Sequence, residues 1–342
     1  MPGTTAEADR LSDLVAAADL ATPMAIRVAA TIRIADWIRD GLRDVPSLVE
    51  ATGADPRALE LLLNHLVTIG VLVREESGYG LSALGEGLCS DHPSGLCHRF
   101  DLNGSGHSAL GVTELLHTVR TGESAYLRRF GQSFYDKCAA DRDFANSFHA
   151  MMSRTHGGAT RSVASEYDWG ALTTVADVGG GDGTLLIELL RAHPTLRGTV
   201  VDMAAAVEAA RKNIRAAGLE GRAEAVEASF FEKVPSAFGG YILSSVLPDW
   251  PDPDAVRILR TCARAAAPHG RVLVLKAAEK REAEPTSTAQ ALRLYALQGG
   301  RERSLAELDG LATAAGLHLG AVTDIGDRSI VELRPAAEQP AG

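Results

Sequence analysis

From Leu11 to Ile38 apolar residues recur at three- and four-residue intervals, the period of a helix that buries one face. Pro23 interrupts the run, which predicts two helices meeting near Thr22. Neither helix has an amply polar face, so the pair needs a partner surface, and a homodimer supplies one. Residues 45–82 then follow a winged-helix pattern: a short helix over Val45–Thr52, a longer one over Asp55–Ile69, and a two-stranded wing in VLVREESGYGLS turning at Gly78. Residues 103–165 read as further helices whose His, Arg, Tyr and Met content suits a pocket wall. After Trp169 the period changes. TTVADV, GTVVD and AEAVEASFF are short β runs separated by the helical TLLIELLRAH and AAAVEAARKNIRAAG, the alternation of a parallel, doubly wound α/β sheet. The predicted division is 1–102, helical and winged-helix-like with a dimerising role; 103–165, pocket-wall helices; and 166–342, a Rossmann-like α/β domain.

Composition sharpens this picture in three places. With 342 residues, 46% of them hydrophobic, the chain is long enough to bury two cores. A winged helix commonly reads DNA, but the first 100 residues carry eight Lys and Arg against fourteen Asp and Glu, and the net charge is −10. That sign is wrong for a phosphate backbone, so no nucleic-acid partner is expected and a DNA-binding regulator is disfavoured. The start, MPGTTAEADRLSD, lacks a basic-then-apolar leader, and no run of about 18 apolar residues follows, so the expectation is a cytoplasmic protein with no membrane partner. Cys89, Cys97, Cys138 and Cys262 are scattered, with neither a disulfide framework nor metal-ligand spacing, and no metal is expected.

The sharpest chemical signal is Val175-Ala176-Asp177-Val178-Gly179-Gly180-Gly181-Asp182-Gly183-Thr184, a strand running into a glycine-rich turn that opens a helix. Such a turn lets backbone approach a ligand and presents free N–H groups. Gly179, Gly181 and Gly183 are spaced G-x-G-x-G, whereas a dinucleotide site needs G-x-G-x-x-G, which favours S-adenosylmethionine (SAM) or S-adenosylhomocysteine over NAD. Asp202 closes the next strand, where a carboxylate can accept both ribose hydroxyls. The third strand ends at Ser229, Phe230 and Phe231, and an aromatic ring there can cover an adenine.

These segments, with MAIRVAATIRIAD, YDWGALTTVADVGGGDG, ASFFEKVP, SSVLPDWPDPDAVRILRTCARAAAPHGRVLVL and ALRLYALQGGRERS, resemble the class I SAM-dependent O-methyltransferases of the plant and bacterial small-molecule type over nearly the whole chain. The likeness is greatest to the anthracycline-tailoring branch of carminomycin 4-O-methyltransferase and aclacinomycin 10-hydroxylase. The resemblance implies an antibiotic-tailoring enzyme acting on an aromatic or polyketide-like small molecule. It implies that Gly179, Gly181, Asp202, Met203, Phe230, Phe231 and Ser244 line the SAM site, together with Asp177, Gly180, Gly183 and Ser229 of the segments above. It also implies that His107, Phe134, Phe148, Met152 and Arg293 wall the acceptor pocket.

Four departures bear on the reaction. Many relatives have Val-Leu-His-Asp-Trp with the His as base, and this chain has Val246-Leu247-Pro248-Asp249-Trp250. Ala228-Ser229 replaces Gly-Asp, Lys276 replaces an acid, and Ala291 replaces an Asp. Methyl transfer is an in-line displacement, so holding an acidic phenol or enol against the methyl supplies much of the rate, and a base adds roughly 10²- to 10⁴-fold. Methylation mainly by proximity is therefore the leading reading. The alternative is a SAM-binding enzyme of the same fold that hydroxylates, decarboxylates or cyclises. His149 and His156 are candidates for a relocated acid or base, although a lone helix histidine is more often an ordinary packing residue. Asp249 is a further candidate, with helix capping at Pro251 as its bland alternative, and Tyr135, Arg154 and Tyr295 are candidate polar anchors for the acceptor.

Overall fold

The computed structural model describes residues 5–278 and 285–335, with the side chains of 5–9, 150, 153–159 and 285–287 set aside. The chain forms two compact units, 1–107 and 108–342. Residues 108–165 thus fold with the α/β sheet.

In the first unit the apolar run breaks earlier than Pro23 suggests, giving helices Thr5–Ala18 and Ala21–Thr31. The Asp19 carboxylate accepts the Ala21 N–H at 2.7 Å, which starts the second helix. Pro23 sits inside that helix's first turn, where no N–H is needed. A second break follows at Arg33 (φ 61°), before the helix Ile34–Arg39. Helices Val45–Thr52 and Pro56–Thr68 are capped by Asp44 and Asp55, whose carboxylates accept Ser47 and Ala58 N–H groups. The leucines of the would-be recognition helix explain its apolar texture: Leu59, Leu63 and Leu66 are core, packed with Ile34, Ile38, Leu48 and Tyr79. The wing pairs β1 (Leu72–Glu75) with β2 (Gly78–Leu81). Its turn is Glu76–Ser77, and Gly78 (φ 128°) opens β2 because a side chain there would strike the Arg43 carbonyl.

The second unit is built on a seven-stranded sheet. Its strands are β3 (Thr174–Val178), β4 (Arg197–Asp202), β5 (Ala223–Glu227), β6 (Gly240–Ser244), β7 (Arg271–Ala277), β8 (Leu317–Ile325) and β9 (Arg328–Pro335), in the order β5-β4-β3-β6-β7-β9-β8. β3 to β7 are parallel, and β9 runs antiparallel to both β7 and β8. Alternation along β7 shows why the sheet is buried on both faces. Val272 and Val274 pack toward helices Asp252–Ala266 and Leu305–Ala314, while Leu273 and Leu275 pack with residues of helices Thr184–Ala192 and Ala204–Ala216. The chain winds outward from β3 in one direction and from β6 in the other. Ligands of such sheets bind beyond the carboxyl ends of the strands flanking that switch point. The helices Phe134–Ala140 and Arg142–Glu166 precede the sheet in sequence.

Candidate active site

A cleft of about 870 Å³ lies at the β3/β6 switch point. Its floor is the glycine turn. Gly179, Gly181 and Gly183 all have left-handed backbone (φ 73°, 59° and 78°), which only glycine adopts at little cost. Gly180 is required for a different reason: a Cβ there would come within 2.6 Å of the Asp177 carboxylate. The alternate-glycine spacing is thus the spacing of the left-handed residues, with one extra glycine roofing a buried acid.

Asp202, at the end of β4, locks this turn. Its Oδ2 accepts the Gly181 N–H at 2.8 Å and its Oδ1 accepts the Met203 N–H at 2.7 Å. Each oxygen keeps lone-pair capacity for a further donor such as a hydroxyl. Burial raises the Asp202 pKa, and the two backbone donors and nearby His149 pull it back. Asp177 is 1% exposed, and neither of its carboxylate oxygens has a hydrogen-bond partner among the described residues. Burial, then the charges of Asp202 and Asp182, push its pKa up to about 7. A buried acid without a donor is costly, so a ligand bringing a donor or a positive charge to it would be favoured. The other charged residues lining the cleft are Asp136, Asp182, Glu227, Glu232 and Asp249, and among the described residues no Lys or Arg lines it.

Part of the cleft wall is aromatic. Tyr135 stacks on Trp250 with ring centroids 5.0 Å apart and planes at 16°, and Trp250 meets Phe231 edge-on at 4.7 Å. The Tyr135 hydroxyl donates a hydrogen bond to Asp249 Oδ2. Burial pushes Asp249 up to about 7 despite that donor, with the charge of Glu302 adding to the rise, and the Tyr135 phenol is held well above its ordinary value. The helix that follows is capped at Pro251 without a side-chain bond, so Asp249 does not serve as its cap.

The sequence-derived candidates divide. Asp177, Gly179, Gly180, Gly181, Asp202, Met203, Ser229, Phe230, Phe231, Ser244, Tyr135, Phe148, His149, Met152 and Asp249 all line the cleft. Gly183 lies one residue beyond Asp182 and caps the helix Thr184–Ala192. Phe134 stands behind the wall, edge-on to Tyr135 and Phe148. Arg293 donates to Gln290 and Tyr295 lies near Gly122; neither lines the cleft. His107 falls in the first unit. The side chains of His156 and Arg154 lie outside the described residues. Trp250, Glu227 and Ser245 line the cleft without having been singled out. The available signal was the strand ends: Glu227 closes β5 and Ser245 (φ 56°) directly follows β6, whereas Trp250 stands six residues beyond β6 and has no comparable signal. Among the described residues no group of His, Cys, Asp and Glu is arranged to hold a metal ion.

Comparison with known proteins decides the family. The O-methyltransferase domain matches residues 112–318, and the O-methyltransferase dimerisation domain matches residues 16–91. The chain belongs to the O-methyltransferase family. It is 46% identical to 2,7-dihydroxy-5-methyl-1-naphthoate 7-O-methyltransferase of Streptomyces carzinostaticus, over 94% of this chain and 96% of that one. It is 40% identical to aclacinomycin 10-hydroxylase of Streptomyces purpurascens, over 94% of this chain and 90% of that one. Among solved structures it is similar to an O-methyltransferase from neocarzinostatin biosynthesis in complex with S-adenosylhomocysteine and 1,4-dihydroxy-2-naphthoic acid. The TM-score is 0.89 at 46% identity, covering 94% of this chain and 98% of that one. The dimerisation domain of this O-methyltransferase accounts for side chains otherwise hard to place: Leu11, Leu14, Val15 and Leu20 are each at least 59% exposed on a single chain. They form an apolar surface suited to a second copy. Among the described residues no single helix is long and apolar enough to cross a membrane, although the bent pair Arg10–Ala18 and Ala21–Thr31 has the combined length and composition.

Proposed function

We propose that this O-methyltransferase uses SAM to methylate a phenolic or enolic hydroxyl on a fused aromatic acceptor of the naphthoate kind, in antibiotic tailoring. The observation that carries the reading is that one cleft is lined both by a glycine turn with Asp177 and Asp202 and by Asp249, hydrogen-bonded to Tyr135 of a Tyr135–Trp250 stack. The residues fit the cofactor. The unpartnered Asp177 carboxylate suits a cationic ligand, the Gly179–Gly183 turn admits close backbone approach, and Asp202, Met203, Ser229, Phe230, Phe231 and Ser244 would hold the nucleoside. SAM, when bound, supplies an electrophilic methyl group on a sulfonium.

The protein's own contribution is positioning and proton handling. Tyr135, Phe148, Met152 and Trp250 give flat apolar walls that orient a planar ring and exclude water. Pro248 has no ionisable group, so the base of many relatives is missing. Asp249, with a pKa near 7, can take the acceptor's hydroxyl proton at neutral pH, and the Tyr135 hydroxyl steadies the carboxylate while it is ionised. His149, on the cleft wall near Gly181, is read as a neighbour of Asp202 and not as the base. Four free, buried cysteines suit a reducing compartment, and we place the enzyme in the cytoplasm.

Incubation with SAM and 1,4-dihydroxy-2-naphthoic acid, followed by mass analysis, tests the reading. It predicts a product heavier by one methylene unit. SAM binding without consumption, with the acceptor gaining oxygen or losing carbon dioxide, would establish the hydroxylase-like alternative that the 40% identical relative represents.

A further inference from the structure

The turn that carries Asp249 is short and has few bonds of its own. Leu247–Asp249 is a single 3₁₀ turn, closed by Asp249 N–H to the Val246 carbonyl and Trp250 N–H to the Leu247 carbonyl, both at 3.2 Å. Such bonds are long and do not by themselves fix side-chain direction. What holds the turn comes from a segment fifty residues later in the chain. Arg303 is 6% exposed, and its guanidinium donates from Nη1 to the Leu247 carbonyl at 2.8 Å and from Nη2 to the Trp250 carbonyl at 2.7 Å. Its Nε donates to Asp252 Oδ1 at 2.9 Å, which ties the same fork to the start of the next helix. The two carbonyls flank Pro248 and Asp249, so one rigid planar group spans both ends of the turn. Gly300 closes the clamp. A Cβ there would lie 2.1 Å from the Pro248 carbonyl oxygen and 2.5 Å from both Asp249 C and Trp250 N, so only glycine lets the backbone lie against the turn.

We propose that Arg303, backed by Gly300, is a positioning residue that fixes the Asp249–Trp250 turn against the cleft. It touches neither the cleft nor, on this reading, either reactant, since the lining residues stop at Asp249 and Trp250. Its action runs through the Leu247 and Trp250 carbonyls, and it rests on the proposed role of Asp249. A lysine cannot replace it. An ammonium has the charge but not the fork, and it cannot reach two carbonyls and a carboxylate in one plane. The groups that bear on Asp249 are Tyr135, which donates to it, and Glu302, whose charge opposes its ionisation. Glu302 is itself moderated by Lys276, Arg328 and Arg303.

The experiment compares Arg303→Lys and Gly300→Ala with the full-length wild-type protein. SAM affinity is read by calorimetry, kcat and KM are read against pH with 1,4-dihydroxy-2-naphthoic acid, and Trp250 emission is read by subtracting the Trp250→Phe background. The expected result in both variants is a kcat lower by about tenfold or more with SAM affinity within about twofold, because a misplacement of an ångström can cost about 100-fold. The acidic limb of the rate profile moves to lower pH as Asp249 becomes better hydrated, and Trp250 emission changes as its stack on Tyr135 loosens. Unchanged kcat, pH limb and emission in Arg303→Lys would overturn the proposal, as would SAM affinity falling in step with kcat, which marks general unfolding. Asp249→Asn separates this from the parent reading. If Asp249→Asn leaves the rate profile intact while Arg303→Lys still changes Trp250 emission and kcat, the assignment of Asp249 fails and the clamp stands; if Asp249→Asn removes the limb and Arg303→Lys changes nothing, the clamp alone fails.

Discussion

Two parts of the cleft lining, the glycine turn and the turn that carries Asp249, are assembled in different ways. At the glycine turn the groups come from two neighbouring strand ends, Asp177–Asp182 at the end of β3 and Asp202–Met203 at the end of β4, joined by strand pairing, by the Gly179 N–H to the Val201 carbonyl and by the Gly181 N–H to the Asp202 carboxylate. At the second, Tyr135 comes from a helix that precedes the sheet, Asp249 and Trp250 come from the turn after β6, and Arg303 comes from the segment before the helix Leu305–Ala314. The first rests on adjacent strand ends and their main-chain N–H groups, the second on side chains brought in from distant segments. Main-chain geometry tolerates little sequence change, whereas side-chain networks can be exchanged piece by piece. That contrast fits a complete glycine motif standing beside Pro248, where the family resemblance implies a histidine.

The largest effect that would test this division is at the glycine turn. Asp202→Ala removes the acceptor for two backbone N–H groups and the group proposed for the ribose, and SAM affinity should fall by about 100-fold or more in calorimetry. A loss smaller than about fivefold would mean that Asp202 is not the anchor. Next, Asp249→Asn should lower kcat by roughly 10- to 100-fold, leave SAM affinity within about twofold, and remove the rise in rate near pH 7. Equal losses in binding and rate would merge the two parts into one unit.

The pH dependence of binding is a smaller and more diagnostic effect. Asp177 is an acid whose pKa burial raises to about 7, so it is ionised above that pH and neutral below it. SAM affinity should therefore weaken several-fold from pH 8 to pH 6, and Asp177→Asn should flatten the dependence. The same sign governs stability. A folded pKa above the unfolded value of about 3.9 means that the free protein loses stability as pH rises from about 4 to about 7. Thermal melts of Asp177→Asn should gain on wild type at pH 8 and not at pH 4. The smallest expected change is in Tyr135→Phe, which removes a donor to the ionised Asp249 carboxylate. The acidic limb of the rate profile should then move upward by about one pH unit or less.

The same contrast explains what the sequence revealed. The glycine turn, the Asp at the end of β4 and the aromatic pair after β5 were readable because strand, turn and helix follow one another within a few residues, and each residue's duty is local. The fold was readable for a related reason: Val272, Leu273, Val274 and Leu275 alternate between two buried faces, which an uninterrupted apolar run announces. The Asp249 turn was less readable. Arg293 and Tyr295 share the aromatic and basic character of a pocket wall yet point to Gln290 and toward Gly122, because composition carries no helix phase. Arg303 carries no signal of its own in GGRERS, and its burial follows from the Leu247 and Trp250 carbonyls that the turn after β6 brings to it. Pro23 misled in the other direction. It marks a helix start, and the break belongs to Asp19 two residues before the helix begins.

The most direct test of the central claim is a single turnover with SAM carrying a deuterated methyl group and excess enzyme over 1,4-dihydroxy-2-naphthoic acid, with both products quantified by mass. The account predicts one S-adenosylhomocysteine formed for each labelled methyl found on an acceptor oxygen, in wild type and, more slowly, in Asp249→Asn. Bound SAM recovered intact while the acceptor is altered, or label appearing on carbon instead of oxygen, would contradict it.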